Sequence, residues 1–125
     1  MSLQVRIWLG LAALSGLIAV GFGAFGVHGV SDPQVKELLS IAVEYQLIHA
    51  LAVFACFSLY RAGAPVAGIA AWLFLIGALL FSGSIYGLAL TPAHWFWPAT
   101  PIGGLCFLAG WAVLAWAAFA GTKSA

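Results

Sequence analysis

Four apolar segments, each long enough to cross a lipid bilayer as a helix, dominate the sequence. They cover about residues 7–25, 38–60, 66–90 and 100–120. A helix needs about 20 apolar residues to cross ~30 Å of hydrocarbon, and each segment has close to that length or more. The sequence therefore predicts an all-α integral membrane protein. We expect one transmembrane domain over residues 1–125, built as a four-helix bundle.

The composition supports the same class. Hydrophobic residues make up 65% of the chain and charged residues 6%, whereas soluble domains have about 45–50% and about 25%. A chain of 125 residues does not bury that much apolar surface by folding in water. The net charge of +1 provides no basic surface for nucleic acid. Cys56 and Cys106 both lie within spans and are interpreted as small buried hydrophobes.

The distribution of positive charge predicts the orientation. Arg6, Arg61 and Lys123 lie on one side of the membrane, and only Lys36 lies on the other. Lys and Arg accumulate on the cytoplasmic side, so both termini are expected in the cytoplasm. The loops are short, which predicts antiparallel neighbours. Aromatic residues are expected at both interfaces: Trp8, Tyr60, Trp72 and Trp116 at the inner one, Trp95 and Trp97 at the outer one.

Local signals predict where two helices start. Asp32 followed by Pro33 is typical of an N-cap and a first helical residue, so the second helix is expected to begin at Pro33. The stretch "TPAHWFWPATPIGG" contains three prolines and predicts an irregular outer loop, with the fourth helix starting near Pro101.

Polar side chains interrupt the spans at similar depths. "AVEYQLIHAL" lies in the second span and "FSGSIYG" in the third. At 100° per residue, Tyr45 and His49 share a face with Gln46 beside them, whereas Glu44 points about 140° away from His49. The polar groups form a layer in the outer half, which predicts an outward-facing pocket above an apolar floor rather than a pore. The candidate ligand-binding residues are His28, Glu44, Tyr45, Gln46, His49, Ser82, Ser84 and Tyr86.

Several of these side chains have more than one interpretation. Glu44 would cost about 3 kcal/mol deep in a bilayer, so it either reaches the interface or is protonated, binds a ligand or proton, or joins helices. A neutral imidazole at His49 is expected to bridge Tyr86 or Ser82, with a proton relay and haem or metal ligation as alternatives. His28 suits the carbonyl end of the first helix.

Small residues at helical spacing predict close helix packing. Gly83 and Gly87 form a GxxxG pattern, which allows another backbone to approach. The other expected packing residues are Ser15, Ala19 and Gly23 in the first span and Gly103 and Gly104 in the fourth.

No catalytic motif is present in the sequence. A Ser-His-Asp order, a phosphate loop, a dinucleotide fingerprint and a zinc motif are all missing. We therefore expect no enzyme activity, no cofactor and no metal.

Four stretches, "GAFGVHG", "EYQLIHALA", "LFSGSIYGLAL" and "PIGGLCFLAGW", resemble in order and spacing the YgdD-type family of small membrane proteins. The resemblance covers nearly the whole chain and implies four transmembrane helices in a bacterial inner membrane. It brings no established activity. Val27 stands where alanine is expected. The matching positions are Gly23, Ala24, Phe25, Gly26, His28, Tyr45, Gln46, His49, Ser82, Gly83, Ser84, Tyr86, Gly103, Gly104, Gly110 and Trp111.

Three kinds of function fit this pattern. The first is a non-enzymatic binding or assembly protein that holds a lipid, a quinone or a partner helix in the outer pocket. The second is a small proton-coupled transporter that works as a dimer. The third is a membrane redox component that carries quinone or haem. A homo-oligomer is compatible with all three, since four short helices bury little surface by themselves.

Overall fold

The computed structural model describes residues 1–92 and 98–121, and all of their regular structure is helical. The prediction of an all-α chain with four helices long and apolar enough to cross a membrane is confirmed. Trp95, Trp97 and much of the expected irregular outer loop lie outside the described residues. The helices are α1 (Leu3–His28), α2 (Pro33–Arg61), α3 (Ala67–Leu90) and α4 (Ala99–Ala120).

Two of the helices, α1 and α2, begin where a short polar side chain caps them. The Asp32 carboxylate accepts a hydrogen bond from the backbone N–H of Gln34 at 2.9 Å, and Pro33 is the first residue of α2. Ser2 caps α1 in the same way, through the N–H of Val5. These caps satisfy N–H groups that have no partner within the helix. As a result, α2 starts about a turn before the apolar segment does.

Consecutive helices pack against each other in antiparallel pairs, with α2 and α3 at the centre. The contacts of α1 and α4 are mainly with α2 and α3 respectively, and no Cα atom of α1 comes within 8 Å of one of α4. Because α2 and α4 approach each other only slightly, a groove is left between them. Residue numbers that rise on α4 fall on α3: Gly103 meets Phe81, Phe107 meets Gly77, and Gly110 meets Phe74.

Glycines on α4 form the closest helix contact. A Cβ atom on Gly103 would lie 2.4 Å from the backbone nitrogen of Phe81. Gly104, its neighbour, lies less tightly against Phe81, at 3.9 Å. Only a residue without a side chain at position 103 allows α3 and α4 to approach this closely.

The other expected packing residues differ in their surroundings. Ala19 is fully buried, and a Cβ on Gly23 would meet Val43 at an ordinary 3.5 Å. Gly87 is half-buried, while Gly83 faces open space with no other atom within 4 Å of an added Cβ. The expected backbone approach at Gly83 is therefore not made by any of the described helices.

Trp8, expected near the inner interface, points into the helix bundle. Its side chain is completely buried, with edge-to-face contacts to Tyr60 and Trp72 at ring distances of 5.2 and 6.3 Å. A Cβ on Gly68 would collide with the indole at 2.7 Å, so this glycine makes room for the ring. Burial of the large apolar surface of the indole stabilises this packing.

Candidate functional site

The polar residues of α2 point to different sides of the helix. Gln46 and His49 are buried, at 7% and 4% exposure, whereas Glu44 and Tyr45 are exposed. Gln46 faces α1 and α3, and His49 faces α3 and α4. The single polar layer expected from the sequence is therefore divided between two seams of the structure.

The first group, which we call the Gln46 cluster, consists of Ser15, Gln46 and Tyr86. The Tyr86 hydroxyl donates a hydrogen bond to Gln46 Oε1 at 2.5 Å, and Gln46 Nε2 donates one to Ser15 Oγ at 3.1 Å. Phe22 stacks on the Tyr86 ring at 4.0 Å. These contacts link α1, α2 and α3. The cluster lines a small cavity of about 310 Å³, but its amide and phenol groups already bind each other.

His49 is held by two partners on opposite sides of its ring. Its Nδ1 lies 2.6 Å from the backbone carbonyl oxygen of Tyr45, and its Nε2 lies 3.0 Å from the indole nitrogen of Trp111. A carbonyl only accepts and an indole N–H only donates. These partners together define a neutral imidazole that carries its proton on Nδ1 and accepts from Trp111 at Nε2.

The expected bridge from His49 to Tyr86 or Ser82 is not formed. Tyr86 binds Gln46 instead, and the Ser82 hydroxyl donates to the backbone carbonyl of Ala42 at 2.7 Å. The shared depth of these residues suggested a contact, but their directions around the helices separate them.

Aromatic rings surround His49 and hold its plane. The imidazole stacks on Phe107 with a centroid distance of 3.6 Å and an angle of 9°. Tyr45 and Phe74 lie near the same imidazole, and Phe81 packs between Tyr45 and Phe107. This arrangement fixes the orientation of the imidazole by stacking as well as by hydrogen bonds.

Of these rings, all but Phe74 form the floor of a lateral groove of about 730 Å³, which we call the α2–α4 groove. On α4 the lining extends from Pro101 to Trp111, about 15 Å along the helix axis. Two of its lining residues, Leu105 and Leu108, are 64% and 68% exposed. The groove therefore opens on the side of the helix bundle, whereas the sequence pattern predicted an outward-facing pocket. Its lining residues are Glu44, Tyr45, Ile48, His49, Phe81, Pro101, Gly104, Leu105, Phe107, Leu108 and Trp111.

Glu44 lies at the edge of this groove. Its carboxylate is exposed, and no hydrogen bond or ion pair joins it to any residue that the structure describes. The Tyr45 hydroxyl, beside it, also has no hydrogen bond within the described chain. Glu44 also borders a second groove, of about 560 Å³, between α1 and α2. It is thus the one acidic side chain among the described residues that lines both grooves.

Besides Ser82, two of the predicted site residues lie outside both the Gln46 cluster and the α2–α4 groove. Ser84 donates to the backbone carbonyl of Phe81 at 2.9 Å, so the Thr100 hydroxyl, 2.5 Å away, donates to Ser84 and joins α3 to α4. His28 is exposed in the last turn of α1 and contacts neither Glu44 nor His49.

The described residues contain no group of three His, Cys, Asp or Glu side chains that is suitable for a metal ion. His49 would have to give up its bond from Trp111 before its Nε2 could ligate iron or another metal. Glu44 and Tyr45 instead offer free oxygens that can form hydrogen bonds to a molecule lying on the aromatic surface of the groove.

Three contributors to these contacts were not predicted from the sequence. Ser15 was expected only as a packing residue, and no role was expected for Phe107 or for the indole N–H of Trp111. Trp111 did carry a signal, because a tryptophan in the middle of a span is far from the interface that this residue usually occupies. Nothing in the local sequence indicated Phe107 as the partner of His49.

These features together define a multi-pass membrane protein with four spans and a lateral groove. The family model described as "Protein of unknown function (DUF423)" matches residues 22–104, about two thirds of the chain. The chain belongs to this family, whose curated members are called UPF0382 membrane proteins.

Relatives occur in a fungus and in bacteria. The UPF0382 membrane protein of Schizosaccharomyces pombe is 44% identical over 122 residues, covering 88% of this chain and 98% of its own. The protein of Haemophilus influenzae is 39% identical, with 90% and 93% covered, and YwdK of Bacillus subtilis is 34% identical, with 91% and 97% covered. No solved structure matches the chain.

Proposed function

We propose that the protein is a non-enzymatic binding protein that holds one amphiphilic molecule, a lipid or a quinone, in the α2–α4 groove. The observation that carries the proposal is the pair of unpartnered oxygens, on Glu44 and Tyr45, at the edge of an aromatic slot within the spans. Intramembrane carboxylates normally have a partner or a function, and the described part of the chain supplies no partner for this one.

The chemistry of the lining limits the class of ligand. The Glu44 carboxylate accepts hydrogen bonds, which suits an O–H or N–H group on a lipid head or a quinol. The Tyr45 hydroxyl also donates, which suits the carbonyl of a quinone or an ester. Leu105 and Leu108 offer apolar surface for a chain. The volume of about 730 Å³ lies in the range of ~300–1,000 Å³ that is usual for small-molecule sites.

His49 serves this site as a positioning residue. Both of its ring nitrogens are occupied by Tyr45 and Trp111, so a ligand meets the edge and face of the imidazole rather than a free nitrogen. The bond from Trp111 holds α4 against α2 at the inner end of the groove. That contact keeps the floor in place whether or not a ligand is bound.

The test is native mass spectrometry of the protein after gentle solubilisation from its membrane. We expect the wild-type protein to retain a small molecule. Leu108→Trp should fill the groove and lower the occupancy of that molecule at least about tenfold, because the loss of about 1.4 kcal/mol of apolar contact weakens binding tenfold. Leu17→Trp is the matched control, because Leu17 is 69% exposed on α1, as Leu108 is 68% exposed on α4, and lies outside the grooves.

The mass of the retained molecule separates the two sources of ligand, since glycerolipids and quinones differ in fragmentation and in ultraviolet absorption. Wild-type protein that carries no small molecule would contradict the proposal. So would a Leu108→Trp variant that retains as much as Leu17→Trp. A second copy of the chain seated in the groove would appear as a dimer whose mass includes no small molecule, and it would replace the ligand in this proposal.

The other two functions draw on parts of the same site. A dimeric proton-coupled transporter would use the exposed Glu44, and a redox component would use the groove for quinone. The haem version of the redox proposal has the least support, since His49 Nε2 is already bonded to Trp111. We also propose the YgdD-type relationship, the bacterial inner membrane as location and cytoplasmic termini, in line with the motifs and the charge distribution.

A further inference from the structure

A row of polar side chains leads along α2 to Glu44. Lys36, Ser40 and Glu44 are spaced four residues apart, so they lie on one face of the helix about 6 Å apart along its axis. All three line the groove of about 560 Å³ between α1 and α2. Lys36 stands in the first turns of α2, close to the Asp32 cap, and therefore at the end of the groove nearest to the α1–α2 loop.

The wall on α1 leaves this groove wide. Gly23 and Gly26 contribute no side chains, and Phe22 and Val27 are the other lining residues on α1. No charged group on α1 faces Glu44 across the groove among the described residues. At about 30 Å³ per molecule in the liquid, the groove has room for several waters beside the polar groups of α2.

The α2–α4 groove lacks such a row. At its outer end the lining consists of Pro101, Gly104 and Leu105, which offer no polar side chain. Within the described residues, a continuous series of polar side chains therefore connects Glu44 to one end of the spans through the α1–α2 groove only. A carboxylate within a span needs such hydration or a partner, because an unpaired polar group in hydrocarbon costs free energy.

We propose that the α1–α2 groove is an aqueous inlet, through which water and small water-soluble molecules reach Glu44 from the side of the membrane where the α1–α2 loop lies. Glu44 is then a carboxylate site open to one aqueous phase and closed to the other. The inlet goes beyond the proposed function, because it exists whatever molecule occupies the α2–α4 groove.

The unmodified protein offers the first test. The chain contains three acidic residues, Asp32, Glu37 and Glu44, and all three would lie on the same side of the membrane as the inlet. Sealed vesicles that contain the full chain are treated with a water-soluble carbodiimide and glycinamide, and the modified carboxylates are located by peptide mass spectrometry. We expect Glu44 to be amidated in the same vesicles as Glu37, which is exposed in the second turn of α2. Modification of Glu37 without Glu44 would overturn the inlet.

Cysteine variants provide the second test, in a background in which Cys56 and Cys106 are replaced by alanine. We expect a charged, membrane-impermeant thiol reagent to modify Ser40→Cys and Glu44→Cys at least about tenfold faster than Tyr45→Cys, because the thiolate is the reacting species and apolar surroundings suppress it. Tyr45 is the matched control because it lies at nearly the same depth in the α2–α4 groove.

Ser31→Cys serves as the marker for the side of the membrane on which the α1–α2 loop lies, because Ser31 is exposed in that loop. Reaction of Glu44→Cys only from the side opposite to Ser31→Cys would refute the inlet, and so would equal rates at positions 44 and 45. Ser40→Cys changes one atom and keeps the test decisive if the Glu44 variant does not fold. These results do not depend on the mass of a bound ligand, so they separate the inlet from the proposed function.

Discussion

The Gln46 cluster and the α2–α4 groove lie on different sides of α2 and use polar groups in opposite ways. In the cluster, Gln46 bonds to Tyr86 and Ser15, so amide and phenol are matched inside the chain. At the groove, Glu44 and Tyr45 present oxygens that no described residue binds. Two positions along one helix therefore separate a polar group that joins helices from one that has no partner among the described residues.

A polar residue in a span can raise or lower the stability of the bundle, depending on whether it has a partner. Burial of a matched hydrogen bond stabilises a bundle modestly, by about 0.6 kcal/mol on average in membranes. An unmatched carboxylate placed in the hydrocarbon of the bilayer costs free energy, about 3 kcal/mol on insertion scales. The sign of the effect of a substitution, and not only its size, should thus differ between the two regions.

The largest effect is expected at the seam that supports the groove floor. Gly103→Ala would place a Cβ 2.4 Å from the backbone nitrogen of Phe81, which cannot move without shifting α3. We expect the free energy of unfolding to fall by about 3 kcal/mol or more, the upper range for overpacking. Gly83→Ala is the control, because nothing lies within 4 Å of its Cβ, and it should be neutral or gain up to about 1 kcal/mol.

Unfolding of both variants in detergent, followed by circular dichroism, checks this difference. Equal stability of the two variants would show that the approach of α3 and α4 at Gly103 is not tight.

The next effect is expected in the Gln46 cluster. Gln46→Leu removes the acceptor of Tyr86 and leaves a buried hydroxyl without a partner, which should cost about 1–3 kcal/mol. In a double-mutant cycle with Tyr86→Phe, we expect a coupling free energy of about 1 kcal/mol. Additive effects of the two substitutions would mean that the hydrogen bond contributes nothing to stability.

A smaller effect is expected at the groove floor. Trp111→Phe keeps an aromatic ring but removes the donor to His49 Nε2, so the free energy of unfolding should fall by about 1 kcal/mol. Nitrogen-15 NMR of the imidazole should show the proton on Nδ1 in the wild-type protein and a change at Nε2 in the variant. A wild-type protein with the proton on Nε2 would contradict the hydrogen bond from Trp111.

The smallest effect should have the opposite sign. Glu44→Leu removes a carboxylate that has no partner in the described chain, so it should leave stability unchanged or raise it by up to about 1 kcal/mol, part of the cost on insertion scales. The matched comparison is Gln46→Leu, two residues further along α2. A loss of stability at position 44 as large as that at position 46 would reveal a partner for the carboxylate and remove the contrast between the regions.

Parts of the site were predictable because their signals are local. The polar residues of α2 are conspicuous in an apolar span, and the Asp32–Pro33 start follows from capping chemistry within three residues. The partners were not predictable, because Trp111 and His49 are 62 residues apart in the chain. Gly83 shows the same limit, since a GxxxG pattern indicates a surface for close approach but not which helix uses it.

The sequence by itself determined that this chain forms four membrane-length helices, since apolar run length and helix caps act over a few residues. Only the tertiary structure decided which way each polar group faces a neighbour. Gln46 and His49 lie about 60° apart around α2, so a helical wheel places them on one surface of the helix. Because α1 and α3 pack on one side of that surface and α3 and α4 on the other, the two side chains meet different partners.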